Sequence, residues 1–216
     1  MSLRSKILLI CALTSGLLFL AVTAGVKKHL FTTLDFTSTV KLQDRFPKRF
    51  DDNVAILVDF GSMEVQGILF LVVLLFLPLR KRQKLLLLGV YGAGLVFVLM
   101  GKSILPHPAP PFMFQRLSKG LPFPSMHVQV EYSYPSGHTY RTVFLTTMLL
   151  GTALVTHKKR LLFSILGSLA TIGTLLLLTG LIVLGKHWTT DVIGGGSLAV
   201  CLVCANLFFT PQEKKI

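Results

Sequence analysis

Tyr134-Pro135-Ser136-Gly137-His138-Thr139 and His187-Trp188-Thr189-Thr190-Asp191 are two short polar segments, and each of them opens a long apolar run. An apolar run of this length predicts a helix that spans a membrane. Ionisable groups are costly in such helices and are usually functional there. Two histidines and one aspartate at the start of these runs therefore suggest a nucleophile, a general acid and an orienting carboxylate.

The composition is typical of a membrane protein. The chain has 216 residues, of which 52% are hydrophobic and 14% are charged, and this is too apolar for an ordinary soluble domain. A net charge of +13 would suggest nucleic acid as the partner of a soluble protein, but here the basic residues cluster between apolar runs. We therefore expect the lipid bilayer, and not nucleic acid, as the surroundings of this chain.

Six apolar runs are long enough to cross a bilayer. They cover roughly residues 7–26, 54–79, 85–101, 139–156, 161–184 and 192–210. They predict an all-α fold, a polytopic membrane helix bundle with six transmembrane helices, in which residues 1–216 form a single integral-membrane domain.

The connectors between the runs alternate in charge. Short basic clusters such as Arg80-Lys81-Arg82 fall on one side of a six-span bundle, and the positive-inside rule makes that side cytoplasmic. The connectors 27–53 and 102–138 and both polar segments fall on the other side. We expect a multi-pass protein of the plasma (inner) membrane with its active site on the non-cytoplasmic face. Residues 27–53 could form an interfacial helix or a disordered loop.

Residues 135–138 predict a tight turn that leads into a helix. Gly137 lets the backbone approach a ligand closely, and backbone N–H groups at a helix N-terminus favour an anion such as phosphate. Ser136 can add a hydroxyl donor, and His138 can donate a proton to a leaving oxygen. An N-capping turn without catalytic function is the alternative for this segment.

His187 and Asp191 are four residues apart, which places their side chains on one face of a helix. Asp191 can hold one imidazole nitrogen and fix the tautomer, so that the other nitrogen is free to attack phosphorus. A helix cap near the water interface is the alternative. Lys102, after the third apolar run, can bind a phosphate oxygen as a point charge, or can extend to the interface as an ordinary lysine.

These segments resemble the motifs of the type 2 phosphatidic acid phosphatase superfamily of integral-membrane lipid phosphatases. That family has six spans and the motifs Lys-x6-Arg-Pro, Pro-Ser-Gly-His and Ser-Arg-x5-His-x3-Asp, and the resemblance covers residues 102–196, the expected catalytic region. It implies that His187 is a nucleophile that forms a phosphohistidine, that His138 is the general acid and that Asp191 supports the nucleophile. It also implies catalysis without a metal or a cofactor.

Two arginines of the family motifs are absent from this chain. Ala109 stands where the first motif has arginine, and Gly180-Leu181 stands where the third motif has Ser-Arg. A bidentate guanidinium is a strong phosphate ligand, so its loss calls for a substitute. Arg141, one helical turn after His138, could face the same pocket, or could extend to the interface as an ordinary arginine. Other candidates on the same predicted side are His107, Arg116, Lys119 and Lys186.

The motifs also resemble those of sphingomyelin-synthase-type phosphotransferases, which lack the two arginines. The leading prediction is a membrane lipid phosphatase that hydrolyses a lipid phosphomonoester or an isoprenyl pyrophosphate. A lipid headgroup phosphotransferase and a non-catalytic protein that binds lipid phosphate are the alternatives. A metal-dependent hydrolase built on His127, Glu131, His138 and His187 is disfavoured, because these residues lack a compact ligand spacing.

Overall fold

The chain is helical throughout the part that the structure describes. The computed structural model describes residues 1–121, 132–156 and 159–209, and no strand occurs among them. The α-helices in these residues are α1 (Leu3–Lys27), α2 (Thr32–Arg45), α3 (Asp51–Asp59), α4 (Met63–Phe76), α5 (Lys81–Ile104), α6 (Gly137–Val155), α7 (Arg160–Val183) and α8 (Thr189–Phe209). Two 3-10 turns, Lys48–Phe50 and Phe112–Phe114, lie in the connectors. The predicted all-α fold is confirmed for these residues.

Four of the described helices, α1, α5, α7 and α8, are long and apolar enough to span a membrane. The segment Lys48–Asp59 and helix α4 would add a fifth span if this bent pair is counted as one. The predicted run 139–156 corresponds to α6, which is not among the candidates. The helices therefore support an integral-membrane bundle, and the count of six spans stays a prediction.

The predicted run 54–79 is not one continuous helix. Helix α3 ends at Asp59 and α4 begins at Met63, and the two helices are bent by 48°. Ser62 caps α4 by accepting a hydrogen bond from the Val65 backbone N–H at 3.3 Å. At this break the carbonyl of Gly61 accepts hydrogen bonds from a side chain of α6, so the break places a backbone acceptor inside the bundle.

Helix α6 is enclosed by other helices and can therefore carry polar residues. It packs against α4, α5, α7 and α8. Tyr140, Phe144 and Met148 on this helix are completely buried, and the Thr146 hydroxyl lies 2.7 Å from that of Thr174 on α7. A helix that faces protein and not lipid can carry polar groups that find partners within the bundle. Enclosure by other helices fits the absence of α6 from the candidate membrane spans.

Helices α6 and α8 approach each other closely near their first turns. An ideal Cβ on Gly195 would lie 2.4 Å from the Ser136 carbonyl oxygen, so only glycine permits this packing. Across the same contact, the Ser136 backbone N–H donates to the Asp191 carbonyl at 3.0 Å. The backbone therefore joins the two polar segments directly.

The connector of residues 27–53 contains α2, which packs against α7 and α8. Asp35 and Thr39 of this helix are buried, whereas Leu34 and Phe36 are exposed. The connector is thus partly helical, and one side of its helix belongs to the protein interior. Its location in the membrane interface stays a prediction.

Candidate active site

His187 and Asp191 form a hydrogen-bonded pair at the start of α8. Asp191 lies in the first turn, and its Oδ2 accepts a hydrogen bond from the Trp188 backbone N–H at 3.0 Å, as acidic residues near helix N-termini do. The same oxygen lies 3.1 Å from His187 Nδ1. A carboxylate at this nitrogen favours the tautomer with hydrogen on Nδ1, so Nε2 keeps its lone pair. An imidazole nucleophile needs this arrangement.

His138 lies next to His187, with ring centroids 6.1 Å apart and ring planes inclined by 59°. It is the second residue of α6, whose N-cap Ser136 accepts a hydrogen bond from the Thr139 backbone N–H at 3.3 Å. Ser136 is completely buried. Its capping role is visible in the structure, and its role as a phosphate donor stays a prediction.

Arg141 is held inside the protein beside the turn that carries His138. Its Nη2 and Nε donate to the Gly61 carbonyl at 2.7 and 3.3 Å, and only 8% of the residue is exposed. An ideal Cβ on Gly137 would lie 3.1 Å from Nη1, so glycine leaves room for the guanidinium at the start of α6. The charge of Arg141 acts on both His138 and His187.

Lys102 lies near the C-terminal end of α5 and is half-buried. Its Nζ donates to the Ser133 carbonyl at 2.8 Å. The ammonium interacts electrostatically with Asp191 and with both histidines. The structure therefore gathers the predicted ionisable site residues in one region: Lys102, His138, Arg141, His187 and Asp191.

The other basic candidates are engaged elsewhere or exposed. Arg116 donates to the Asp51 carboxylate at 2.9 Å, and it also binds backbone carbonyls of the α2 end. Lys186 is partly exposed and lies 3.5 Å from Asp59. Lys119 is exposed. The charge of Lys186 acts on His138, whereas the charge of Arg141 acts on both histidines.

Neither of the two positions where the family has arginine carries a charged side chain in this protein. Leu181 is completely buried in an apolar cluster that includes Val58 and Leu177. Ala109 is exposed. Any charge that replaces the missing guanidinium groups must therefore come from other parts of the chain.

A buried polar cluster behind Asp191 escapes prediction from the sequence. Asp35 of α2 accepts hydrogen bonds from the backbone N–H and the hydroxyl of Thr190 at 2.9 and 2.7 Å. His107 Nε2 lies 3.3 Å from Thr190 Oγ1, 3.5 Å from Asp191 Oδ1 and 3.6 Å from Asp35 Oδ2. The sequence points to His107 only as a further phosphate ligand. No local pattern marks the cluster, because its contacts join residues 83 and 155 positions apart.

Burial is the main influence on the pKa values of His187 and Asp35. Loss of hydration lowers the pKa of His187, the hydrogen bond and charge of Asp191 oppose this change, and the charges of Lys102 and Arg141 add to it. His187 is therefore neutral at pH 7, as a nucleophile must be. Burial also raises the pKa of Asp35, against the hydrogen bonds that this carboxylate accepts.

The described residues form no evident metal centre. No group of three or more His, Cys, Asp or Glu side chains within residues 1–121, 132–156 and 159–209 could hold an ion. His127 and Glu131, which belong to the metal-dependent alternative, lie outside the described residues. Metal independence stays a prediction.

Comparisons with known proteins agree with the motifs. A family model described as the PAP2 superfamily matches residues 83–215. Among solved structures, the chain is similar to the crystal structure of the first transmembrane PAP2 type phosphatidylglycerolphosphate phosphatase from Bacillus subtilis. The TM-score is 0.70 at 19% sequence identity, over 90% of this chain and 93% of that chain, which shows a shared fold. No curated protein matches the chain.

Proposed function

The chain belongs to the PAP2 superfamily, and from this membership we propose that it is a membrane lipid phosphatase acting on a lipid phosphomonoester or an isoprenyl pyrophosphate. One observation carries the proposal. His187 is oriented by Asp191 through Nδ1 at 3.1 Å, so that Nε2 can act as nucleophile, and the ring of His138 lies 6.1 Å away. Phosphoryl transfer with a proton donor needs two such groups on either side of one phosphorus atom.

The first step forms a phosphohistidine. The lone pair of His187 Nε2 attacks phosphorus, and the bond between phosphorus and the lipid oxygen breaks. His138, whose protonated form is stabilised by the anionic phosphate of the bound substrate, gives its proton to that leaving oxygen, and Asp191 stabilises the positive charge that develops on the His187 ring. The products of this step are the dephosphorylated lipid and an enzyme with a phosphorus–nitrogen bond.

The second step returns the enzyme to its starting state. Neutral His138 takes a proton from a water molecule, whose oxygen attacks phosphorus while the phosphorus–nitrogen bond breaks. Inorganic phosphate leaves, and His138 is again protonated. No metal is needed in this scheme, because fixed cations and backbone donors can stabilise the equatorial oxygens.

Lys102, Ser136, Gly137 and Arg141 are the proposed phosphate-binding residues. Lys102 and Arg141 supply positive charge, and the first turn of α6 supplies backbone N–H groups with the favourable end of the helix dipole. The lipid tail would remain in the bilayer while the headgroup enters the site. We place this site on the non-cytoplasmic face of the plasma (inner) membrane, because the basic connectors lie on the other side.

Release of inorganic phosphate tests the proposed function. Purified protein in detergent is incubated with phosphatidic acid, phosphatidylglycerophosphate and undecaprenyl pyrophosphate, with and without a chelator. We expect release from at least one lipid, unchanged by the chelator. Activity that is lost with chelator and restored by zinc or magnesium would refute metal independence, and no release from any lipid would refute the phosphatase.

The division of labour between the histidines has its own test. His187→Ala should abolish acid-labile labelling of the protein by a lipid with radioactive phosphate. His138→Ala should slow phosphoenzyme formation most for poor leaving groups, because a general acid matters less when the leaving oxygen is already stable. Equal losses for good and poor leaving groups would remove the acid role from His138.

A headgroup phosphotransferase is the second candidate, favoured by the absence of arginine at both family positions. Leu181 is buried among apolar side chains and Ala109 is exposed, as the resemblance to the arginine-free transferases would lead one to expect. Adding a lipid alcohol acceptor separates the two functions. A transferase passes its phosphoryl or headgroup to the acceptor at the expense of phosphate release, whereas a phosphatase does not.

A further inference from the structure

One carboxylate oxygen of Asp191 has no hydrogen-bond partner among the described residues. Oδ2 serves His187 and Trp188, whereas Oδ1 is buried and unpaired. A buried carboxylate oxygen without a donor is strongly unfavourable, so a group that stabilises it should lie nearby. His107 Nε2, at 3.5 Å, is in place to do so.

His107 lies between two buried carboxylates, those of Asp35 and Asp191. The hydroxyl hydrogen of Thr190 is given to Asp35 at 2.7 Å, so the Thr190 oxygen can only accept from His107. All three oxygens around His107 Nε2 are therefore acceptors, and this nitrogen must carry a hydrogen. Two carboxylates this near to each other disfavour ionisation unless a donor or cation lies between them.

The backbone around His107 is fixed to the rest of the site. The Ser133 backbone N–H and hydroxyl donate to the His107 carbonyl at 2.9 and 3.0 Å. The Ser133 carbonyl in turn accepts from Lys102. The ring of His107 meets that of Tyr134 edge-on at 6.2 Å. The position of His107 is thus held by backbone and ring contacts in addition to its contacts with the carboxylates.

We propose that His107 and Asp35 are positioning residues that fix the orientation and charge of Asp191 and, through Asp191, the reactivity of His187. His107 donates toward Asp191 Oδ1, and Asp35 fixes His107 and anchors the first turn of α8 through Thr190. Their catalytic meaning rests on the proposed function. Their effect on His187 protonation does not, because it follows from the charges alone.

The direction of the effect follows from the charges around His187. The titratable and charged groups that face it and its neighbours are Asp35, Lys102, His107, Tyr134, His138, Arg141, Lys186 and Asp191. Removing the His107 N–H leaves Asp191 Oδ1 without a nearby donor and leaves the negative charge of Asp35 uncompensated. Both changes favour a proton on the His187–Asp191 pair, so the pKa of His187 should rise. Removing the charge of Asp35 in that background should lower it again.

Nuclear magnetic resonance of protein with 15N-labelled histidine tests this without any substrate. The chain has six histidines, and the His187 signal is the one lost in His187→Gln. We expect His107→Leu to raise the pKa of His187 by roughly one unit, the scale of one charge-assisted hydrogen bond. His107→Gln, which keeps an N–H donor near the position of Nε2, should give a smaller rise. His29→Asn, at an exposed residue with φ 54°, is the matched control and should leave the pKa of His187 unchanged.

The double variant His107→Leu/Asp35→Asn should recover part of the shift. If the two residues had a purely structural role, the effects of the two substitutions on the pKa of His187 would instead be additive. If His107→Leu does not fold, His107→Gln with and without Asp35→Asn decides the question, and Asp35→Asn should lower the pKa of His187 there. Unchanged His187 titration in a folded His107→Leu protein, or a further rise in the double variant, would overturn the proposal.

Kinetics separate this inference from the proposed function. In an active enzyme, His107→Leu should reduce kcat roughly tenfold to hundredfold, the range expected for losing a charge-assisted hydrogen bond. The acid limb of the pH profile should move to higher pH with little change in KM. A wild-type protein that releases no phosphate would refute the phosphatase, while the resonance experiment would still decide the roles of His107 and Asp35.

Discussion

Arg141→Ala should weaken transition-state binding without moving the two histidines. Phosphoryl transfer places charge on the equatorial oxygens, and fixed cations are the main stabilisers available to this site. Loss of one such donor costs about 2–4 kcal/mol, which lowers kcat/KM roughly 30- to 1000-fold. Arg141→Lys should recover only part of the loss, because an ammonium cannot bind two oxygens in fork geometry.

The structure predicts a second effect that the assay must separate from the first. Arg141 donates twice to the buried Gly61 carbonyl, and its removal leaves that carbonyl unpaired at a cost of about 1–3 kcal/mol of stability. The rate should therefore be expressed per folded molecule. Arg116→Ala is the matched control, because it also removes a half-buried guanidinium bound to backbone carbonyls and to Asp51. It should destabilise the protein and leave kcat/KM within about threefold.

The measurement is kcat/KM for the best lipid phosphate, with thermal unfolding of each variant in the same detergent. An Arg141→Ala protein that folds normally and turns over like the wild type would refute the reasoning. Lys102 and the first turn of α6 would then be sufficient to bind the phosphate.

Further predictions concern pH, packing and topology. Burial lowers the pKa of His187, so the acid limb of kcat/KM should lie below the ordinary histidine value of about 6.5. The unfolded chain protonates His187 more readily than the folded protein does, so protein stability should be highest above about pH 6.5 and should decline as the pH falls below it. His187→Gln should reduce this dependence of the melting temperature on pH. Gly195→Ala should lower stability by about 1–3 kcal/mol, because its Cβ would meet a backbone oxygen at 2.4 Å, whereas Gly173→Ala, with open space around it, should not. In a cysteine-free protein, Leu117→Cys, at a position that is 85% exposed, should react with an impermeant reagent from outside the cell; labelling only from the cytoplasmic side would reverse the topology.

The sequence predicts the centre of the site because its determinants are local. The spacing of His187 and Asp191 is one helical turn, and the structure shows the expected contact between them. The Pro-Ser-Gly-His turn likewise starts α6, and the backbone bond from Ser136 to Asp191 brings the two segments together. Spacing and turn chemistry are properties of a few neighbouring residues, so they can be recognised without the fold.

The supports of the site depend on the fold and have no such signal. The break at Gly61 lies inside a run that is apolar overall, and the polar residues beside it, Asp59, Ser62 and Glu64, do not by themselves predict a bend. Asp35 occurs in a connector that looks interfacial by its alternation of charge and apolar residues, yet it is buried against α8. Helix α6 shows the opposite case, since its polar residues are tolerated because neighbouring helices enclose them. The break at Gly61, the burial of Asp35 and the enclosure of α6 all depend on contacts between residues that are far apart in the sequence.

The break between α3 and α4 has a consequence for exchanging parts between relatives. The family model begins at residue 83, but the Gly61 carbonyl that holds Arg141 and the Asp35 carboxylate that holds Thr190 both come from earlier in the chain. A chimera that grafts residues 83–215 of another family member onto the first 82 residues of this protein would keep every motif histidine. However, the Gly61 carbonyl and the Asp35 carboxylate of this protein would then face the grafted segment, which need not contain their partners Arg141 and Thr190. Such hybrids should fail by misalignment of intact catalytic groups, and restoring this protein's own residue at position 141 or 190 should repair them.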